Sequence, residues 1–303
     1  MQGSRADRHA ADGGPTGPAA SRLGGPPALS PRDFARLSAF IEGRCGIRMP
    51  PSKRTLLESR LGRRVRELGL AGFGEYCEHV LGGAAGDEVV RMVDHVTTNK
   101  TDFFREPHHF ELLARDVLPA LAAERGAGTR RPLRLWSAGC STGEEPYTLA
   151  MVLLEAGRQA AGLRFGILAT DLSTRVLERA RGAEYTEAQV RPVPLALRRR
   201  YLLRSVRDPQ VVRVCQRVRE LVALEQLNLL DPDYRLRDRM DVIFCRNVFI
   251  YFERSVQERV LLQFARVLSP GGFLFLGHAE SIAGLEVPFD AVAPTVYRRR
   301  EGG

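Results

Sequence analysis

Trp136-Ser137-Ala138-Gly139-Cys140-Ser141-Thr142-Gly143-Glu144-Glu145-Pro146-Tyr147 joins a short apolar strand candidate (Leu133, Leu135) to an apolar helix (Leu149, Met151, Val152, Leu153). A glycine-rich turn between a strand and a helix lets a ligand lie against bare backbone, beside N–H groups that a helix start leaves unpaired. Ser141 or Thr142 is a helix-cap candidate, with a glutamate three residues on in either register, and Pro146 is tolerated in the first turn. Glu144 and Glu145 set this turn apart from a phosphate cradle, because negative charge repels pyrophosphate but accepts hydrogen bonds from an ammonium or a ribose. The expected ligand is a cationic or hydroxyl-bearing nucleoside, and S-adenosylmethionine fits.

Outward from this turn, strand candidates alternate with helical stretches at 133–137, 163–170, 221–224, 241–245 and 272–277. That alternation predicts a parallel α/β sheet. Segments 289–292 and 295–299 flank Pro294 and predict a closing hairpin. An insert at about 181–219, with an Arg-rich helix at 195–203 and a strand-like 211–214, predicts a small subdomain on the sheet edge. Asp171 ends the second strand, where nucleoside-binding α/β folds hold ribose hydroxyls; an acid capping the next helix is the alternative. The glycine spacing departs from G-x-G-x-x-G, which disfavours a nicotinamide cofactor.

Residues 30–95 read as helices only, with apolar positions Phe34, Leu37, Phe40 and Ile41, then Leu56, Leu57, Leu61, Val65 and Leu68, then Val89, Val90, Met92 and Val93. Ser30-Pro31-Arg32-Asp33 reads as a helix start. Lys53, Arg60, Arg63 and Arg64 are placed mostly opposite the Leu57–Leu61 stripe, and Arg60, Arg63 and Arg66 form a basic ridge suited to an acidic helix. The expected division is a disordered tail at 1–29, a helical domain at 30–95, a linker at 96–115 that contributes to the cofactor site, and a catalytic domain at 116–303.

The net charge of +9 is uneven: residues 44–66 hold eight basic residues against Glu58, and residues 191–219 hold nine arginines against Asp208. Such clustering points to an acidic partner, nucleic acid or protein, with a solvated helix face as the alternative. Cys45, Cys77, Cys140, Cys215 and Cys245 show neither pairing nor metal spacing, which suits a reducing cytoplasm. No signal-like or membrane-length apolar run occurs, so a soluble, unexported protein is expected.

Two further stretches carry polar groups to the same pocket. At the domain junction, Asn99 and Thr101 are candidates for a ligand's polar end and Arg105 for a carboxylate, ahead of ordinary capping. After the fourth strand, Arg246, Asn247 and Tyr251 would project beyond a carboxyl end, where open α/β sheets bind ligands. Cys245 reads as a core thiol, and His278 as either site lining or a structural cap.

These pieces together resemble the CheR family of chemotaxis methyltransferases, through TTNKTDFFRE at 97–106, SAGCSTGEEPY at 137–147, ATDLSTRVLERAR at 169–181, LNLLD at 227–231, FCRNVFIYF at 244–252 and LSPGGFLFLGHAES at 268–281. The resemblance implies a Rossmann-like class I methyltransferase domain with a small all-α N-terminal domain and an inserted edge subdomain. It implies methyl transfer from S-adenosylmethionine to chemoreceptor glutamates, without metal, by a cytoplasmic monomer that neither inserts in membranes nor binds nucleic acid. By position it implies that Asn99, Thr101 and Arg105 contact the amino acid end and sulfonium region, Glu145 the ammonium, Asp171 the ribose, and Asn228 with Leu229 the adenine. Arg246 and Asn247 would line the pocket beside the methyl donor, Arg105 and Tyr251 would be the catalytic pair, and Arg60, Arg63 and Arg66 would meet the receptor's helical cytoplasmic domain. Ala279 replaces the usual serine of the last motif, and residues 204–210 lack the glycines of members that tether to a receptor tail, so tethering is not expected. The competing expectations are a nucleic-acid methyltransferase, disfavoured by the lack of Asn/Asp-Pro-Pro-aromatic or Pro-Cys motifs, and a non-catalytic adaptor.

Overall fold

A computed structural model describes residues 28–83, 86–159 and 162–301. The expected tail lies outside the described residues except at its end, where Leu29 is 3 % exposed in the helical core and its N–H donates to Glu58 Oε2 at 3.1 Å. The helical segment comprises α1 (Pro31–Cys45), a 3-10 turn at Pro51–Lys53, α2 (Arg54–Glu67), α3 (Phe73–Leu81) and α4 (Gly86–Val96). Ser30 starts it as expected: its Oγ accepts from Asp33 N at 3.0 Å, satisfying an otherwise orphaned first-turn donor.

The apolar stripe buries Leu57, Leu61 and Val65, whereas Leu56 and Leu68, assigned to it from sequence, are 41 % and 36 % exposed. Leu68 follows the end of α2, and Leu56 lies a quarter-turn off the stripe. Arg64 is the larger correction. The sequence reading places it opposite the apolar stripe, but it is buried, with Nη2 on Glu88 Oε2 at 2.6 Å, and Tyr76 Oη donates to Glu88 Oε1 at 3.0 Å. Breaking a buried pair by removing one partner leaves an uncompensated charge, so Arg64→Ala is expected to destabilise the helical segment by about 3–5 kcal/mol. Urea unfolding checks this, and a loss below about 1 kcal/mol would mean the pair is not structural.

The rest of the chain runs through α5 (His108–Leu112), a π-helical turn (Leu113–Val117), α6 (Leu118–Arg125), β1 (Leu133–Ala138), α7 (Glu144–Gln159), β2 (Phe165–Asp171) and α8 (Thr174–Gly182). It then forms the insert, β3 (Glu184–Thr186), α9 (Leu195–Tyr201), β4 (Leu202–Arg204), β5 (Val211–Val214) and α10 (Gln216–Arg219). It closes with β6 (Val222–Gln226), β7 (Met240–Cys245), α11 (Arg254–Val267), β8 (Leu268–Leu276), β9 (Phe289–Ala293) and β10 (Val296–Arg299).

The main sheet has seven strands in the order β6-β2-β1-β7-β8-β10-β9, parallel through β8 with an antiparallel hairpin at the far edge. Period-two alternation sends Leu135, Val242, Phe244 and Phe275 to one core and Trp136, Ile243, Cys245 and Leu274 to the other. Both faces are therefore covered, as parallel sheets require. The insert forms a separate antiparallel sheet, β3-β5-β4. Its helix stops at Tyr201, earlier than expected, because residues 202–204 pair with β5.

Candidate active site

The parallel strands end nearly level, with Ala138 opposite Thr170, Ser137 opposite Phe244 and Cys245 opposite Leu276. The residues that follow, Gly139, Asp171 and Arg246, therefore meet at one edge where strand order reverses between β1 and β7, the usual ligand crevice of open α/β sheets. A cavity of about 310 Å³ opens there, and Asn99, Thr101, Arg105, Glu145, Asp171, Asn228, Leu229, Arg246, Asn247 and Tyr251 all line it. Gly139 has φ +81°, and a Cβ there would lie 2.6 Å from Val248 Cγ2, so only glycine fits this floor.

The helical segment forms the opposite wall. Arg48 N donates to Tyr251 O at 2.9 Å, and Asn228 Nδ2 donates to Arg44 O at 2.8 Å. Asn228 Oδ1 accepts from Leu230 N at 3.0 Å, so its amide fastens the wall as well as facing the cavity. Of the expected ridge, Arg63 and Arg66 are exposed and lie away from the cavity, with Arg63 bonded to Glu67 at 2.7 Å. Arg60 departs from that ridge: it lines the cavity and donates to Val96 O, Thr97 O and Thr98 Oγ1 at 2.6, 3.2 and 3.2 Å, clamping the linker.

Arg246 is the electrostatic centre. Its Nε donates to Glu145 Oε2 at 2.8 Å, and its Nη1 to Arg105 O at 2.7 Å, with Glu106 Oε2 at 3.4 Å and His109 Nδ1 at 3.1 Å. Glu145 Oε1 also accepts from Ser137 Oγ at 2.7 Å. Asp171 accepts from Ser141 N and Ser173 N, each at 2.9 Å. Burial raises the Asp171 carboxyl above its ordinary range, and these backbone donors oppose that rise. The cap expected from Ser141 or Thr142 takes another form: Ser141 Oγ donates to Asn99 O at 2.9 Å, and Thr142 Oγ1 donates to Glu144 Oε2 at 2.6 Å.

Sequence reasoning passed over Glu106, His109 and Glu280. Glu106 Oε1 accepts from Asn247 Nδ2 at 3.4 Å and from His278 N at 3.3 Å, and Glu280 Oε2 accepts from Asn247 N at 2.9 Å. Asn247 is held at φ +61°, and Phe104 and Glu106, both at φ +55°, flank Arg105. Left-handed backbone at such residues costs on the order of 1–3 kcal/mol each and persists where surrounding contacts over-determine it. Here it presents Arg105 and Asn247 to the cavity.

A guanidinium only donates, so His109 Nδ1 is the acceptor and Nε2–H faces Thr295 Oγ1 at 2.9 Å. Glu106 lies 3.4 Å from Nδ1 and favours an imidazolium, but burial and the Arg246 charge outweigh it and push His109 down to about 3. Because the folded state refuses a proton that the unfolded state accepts near pH 6.5, stability is unaffected above that pH and falls as pH drops toward about 3. At pH 5 the expected loss is about 2 kcal/mol. Urea melts at pH 7 and 5 should show that increment in the parent protein and not in His109→Gln; equal acid sensitivity in both would contradict it.

His108, His109 and His278 offer ligand atoms within 4.8 Å of one another, where the sequence suggested no metal ligands. With both His109 nitrogens engaged, the remaining pair is His108 and His278, whose Nε2 atoms lie 3.1 Å apart. Cys245 is fully buried, and burial pushes its thiol well above the ordinary range, which agrees with a core role. All five cysteines are free. No described helix is long and apolar enough to cross a membrane.

Residues 99–298 match the family model described as CheR methyltransferase, SAM binding domain, and residues 32–97 match CheR methyltransferase, all-alpha domain. The chain is 40% identical over 261 residues to a probable chemotaxis protein methyltransferase of Rhizobium etli, covering 86% of this chain and 96% of that one. It is 40% identical over 271 residues to the chemotaxis protein methyltransferase of Escherichia coli, covering 89% and 91%. It is also 40% identical over 268 residues to chemotaxis protein methyltransferase 2 of Pseudomonas aeruginosa, covering 88% and 92%. With a matching SAM-binding domain behind a matching all-α domain, the chain belongs to the CheR methyltransferase family.

Proposed function

We propose that this protein transfers the methyl group of S-adenosylmethionine to glutamate side chains in the helical cytoplasmic domain of chemoreceptors, acting in the cytoplasm as a monomer without a metal. The observation that carries this reading is a cavity pairing acidic groups, Glu145 and Asp171, with the cationic and hydroxyl groups of Arg105 and Tyr251. The donor set fits the cosubstrate. An ionised carboxylate offers about four acceptor sites, and Glu145 and Asp171 use only part of theirs within the protein. Glu145 would hold the ammonium, Asp171 the ribose, and Asn228 with Leu229 the adenine, while Asn99, Thr101 and Arg105 would hold the amino acid end and sulfonium region. S-adenosylmethionine supplies an electrophilic methyl on sulfur when bound.

The acceptor needs no activation by a base, since glutamate, with an ordinary pKa of about 4.3, is ionised at neutral pH. One carboxylate oxygen forms the new C–O bond as the C–S bond breaks, and the products are a methyl ester and S-adenosylhomocysteine. The chain's task is alignment and removal of water. Arg105 positions the reactants, and Tyr251 Oη orients the reacting oxygen. The Arg246–Glu145–Glu106 network keeps the pocket wall rigid, and Arg63 and Arg66 present exposed positive charge outside it.

A nucleic-acid methyltransferase is the rival reading, favoured by the net charge of +9. Tritiated methyl transfer to a receptor cytoplasmic fragment, to duplex DNA and to total RNA, assayed in parallel, separates the two. Label confined to the receptor fragment is expected. Label on nucleic acid, weakening steeply with salt as phosphate contacts require, would overturn the proposal.

A further inference from the structure

Five cations line the cavity, and they differ in what they already hold. Arg246 is committed to Glu145 and to the Arg105 carbonyl, and Arg60 to three linker oxygens. Arg105 donates to Lys100 O at 2.9 Å, and the Lys100 side chain itself is exposed. Lys53 is half-buried, its Nζ donates to Arg48 O at 3.1 Å, and it stands 5.8 Å from the centroid of the Tyr251 ring. An ammonium has three donors, so among the described residues two remain without a partner.

We propose that Lys53 is the cation that receives the acceptor carboxylate, and so determines specificity for a glutamate side chain; this rests on the carboxyl-methylation reading above. Its place over the Tyr251 ring puts a positive charge in the same part of the cavity as the residue whose hydroxyl orients the reacting oxygen. A lysine suits this task better than an arginine. A guanidinium grips both carboxylate oxygens in a fork, whereas an ammonium holds one as a point charge and leaves the other free to attack. Burial, Arg60 and Arg48 all depress the Lys53 amine, and an arriving carboxylate relieves that repulsion. Lys53 forms and breaks no covalent bond; it is a positioning residue supplied by the helical segment, so that substrate selection and chemistry come from different parts of the chain.

The test compares Lys53→Met and Lys53→Arg with the parent full-length protein, reading KM and kcat for a receptor cytoplasmic fragment and, by calorimetry, Kd for S-adenosylmethionine. Lys53→Met should raise the receptor KM about tenfold or more, the loss of a charge-assisted hydrogen bond, with the cosubstrate Kd within about twofold. Lys53→Arg should restore most of the KM but lower kcat, because its fork also holds the oxygen that must attack. Calorimetry also shows that each variant is folded. An unchanged KM in Lys53→Met, a KM rise found in Lys100→Met instead, or a matching loss of cosubstrate affinity would each overturn the assignment. Failure of the parent protein to methylate any receptor fragment would overturn the underlying reading instead.

Discussion

Arg105→Ala is expected to lower turnover by on the order of 10²–10³, the typical cost of removing one well-placed polar group that acts in the transition state. The effect should fall on kcat and leave the fold intact. Arg105 is half-buried, its side chain makes a single bond among the described residues, to Lys100 O, and its structural contact to Arg246 is made by its backbone carbonyl, which alanine retains. Single-turnover rates with saturating cosubstrate measure the effect, and thermal melts confirm folding. A variant retaining more than roughly a tenth of the parent rate would remove Arg105 from the proposed catalytic pair.

Arg246→Met should act through stability. It removes the cation between Glu145 and Glu106, whose carboxylates each accept from Arg246 at 2.8 and 3.4 Å, in a site where Arg246 is 6 % exposed. Stranding buried charge in this way typically costs about 3–5 kcal/mol. The same change frees Glu145 from one of its two fixed donors, so cosubstrate affinity should fall as well. Adding Glu145→Gln should recover part of the stability, because residues in one ion-pair network couple by about 0.5–3 kcal/mol. Denaturant unfolding of the single and double variants checks this; a single variant within about 1 kcal/mol of the parent would show that the network does not hold the site.

How much of this was legible depends on the range of the interactions involved. The parallel sheet was readable because each strand is a local apolar run, and a level sheet edge brings together whatever follows the strands. Glu145, Asp171, Arg246 and Asn247 were found for that reason. β3 and β4 have three residues each, too few for a periodic signal, so the insert sheet was seen only through β5.

Arg64 shows a different failure. Seven residues from Leu57 and three from Leu61, it shares the buried face by helical geometry. Its charge argued for the outside, and the buried partner, Glu88, lies 24 residues away. Arg246 and Glu106 are 140 residues apart, and no local pattern announces their contact. The left-handed backbone of Phe104 and Glu106 was equally silent, since neither residue type favours that conformation.

The most direct test of carboxyl methylation is the chemistry of the product. Purified receptor cytoplasmic fragment from the same organism, labelled with tritiated methyl from S-adenosylmethionine by the full-length protein, is treated with mild base. Release of the label as methanol is predicted, because only an ester hydrolyses under those conditions. Label that stays on the protein as a base-stable N-methyl or S-methyl group, or no transfer despite measurable cosubstrate binding, would contradict the account.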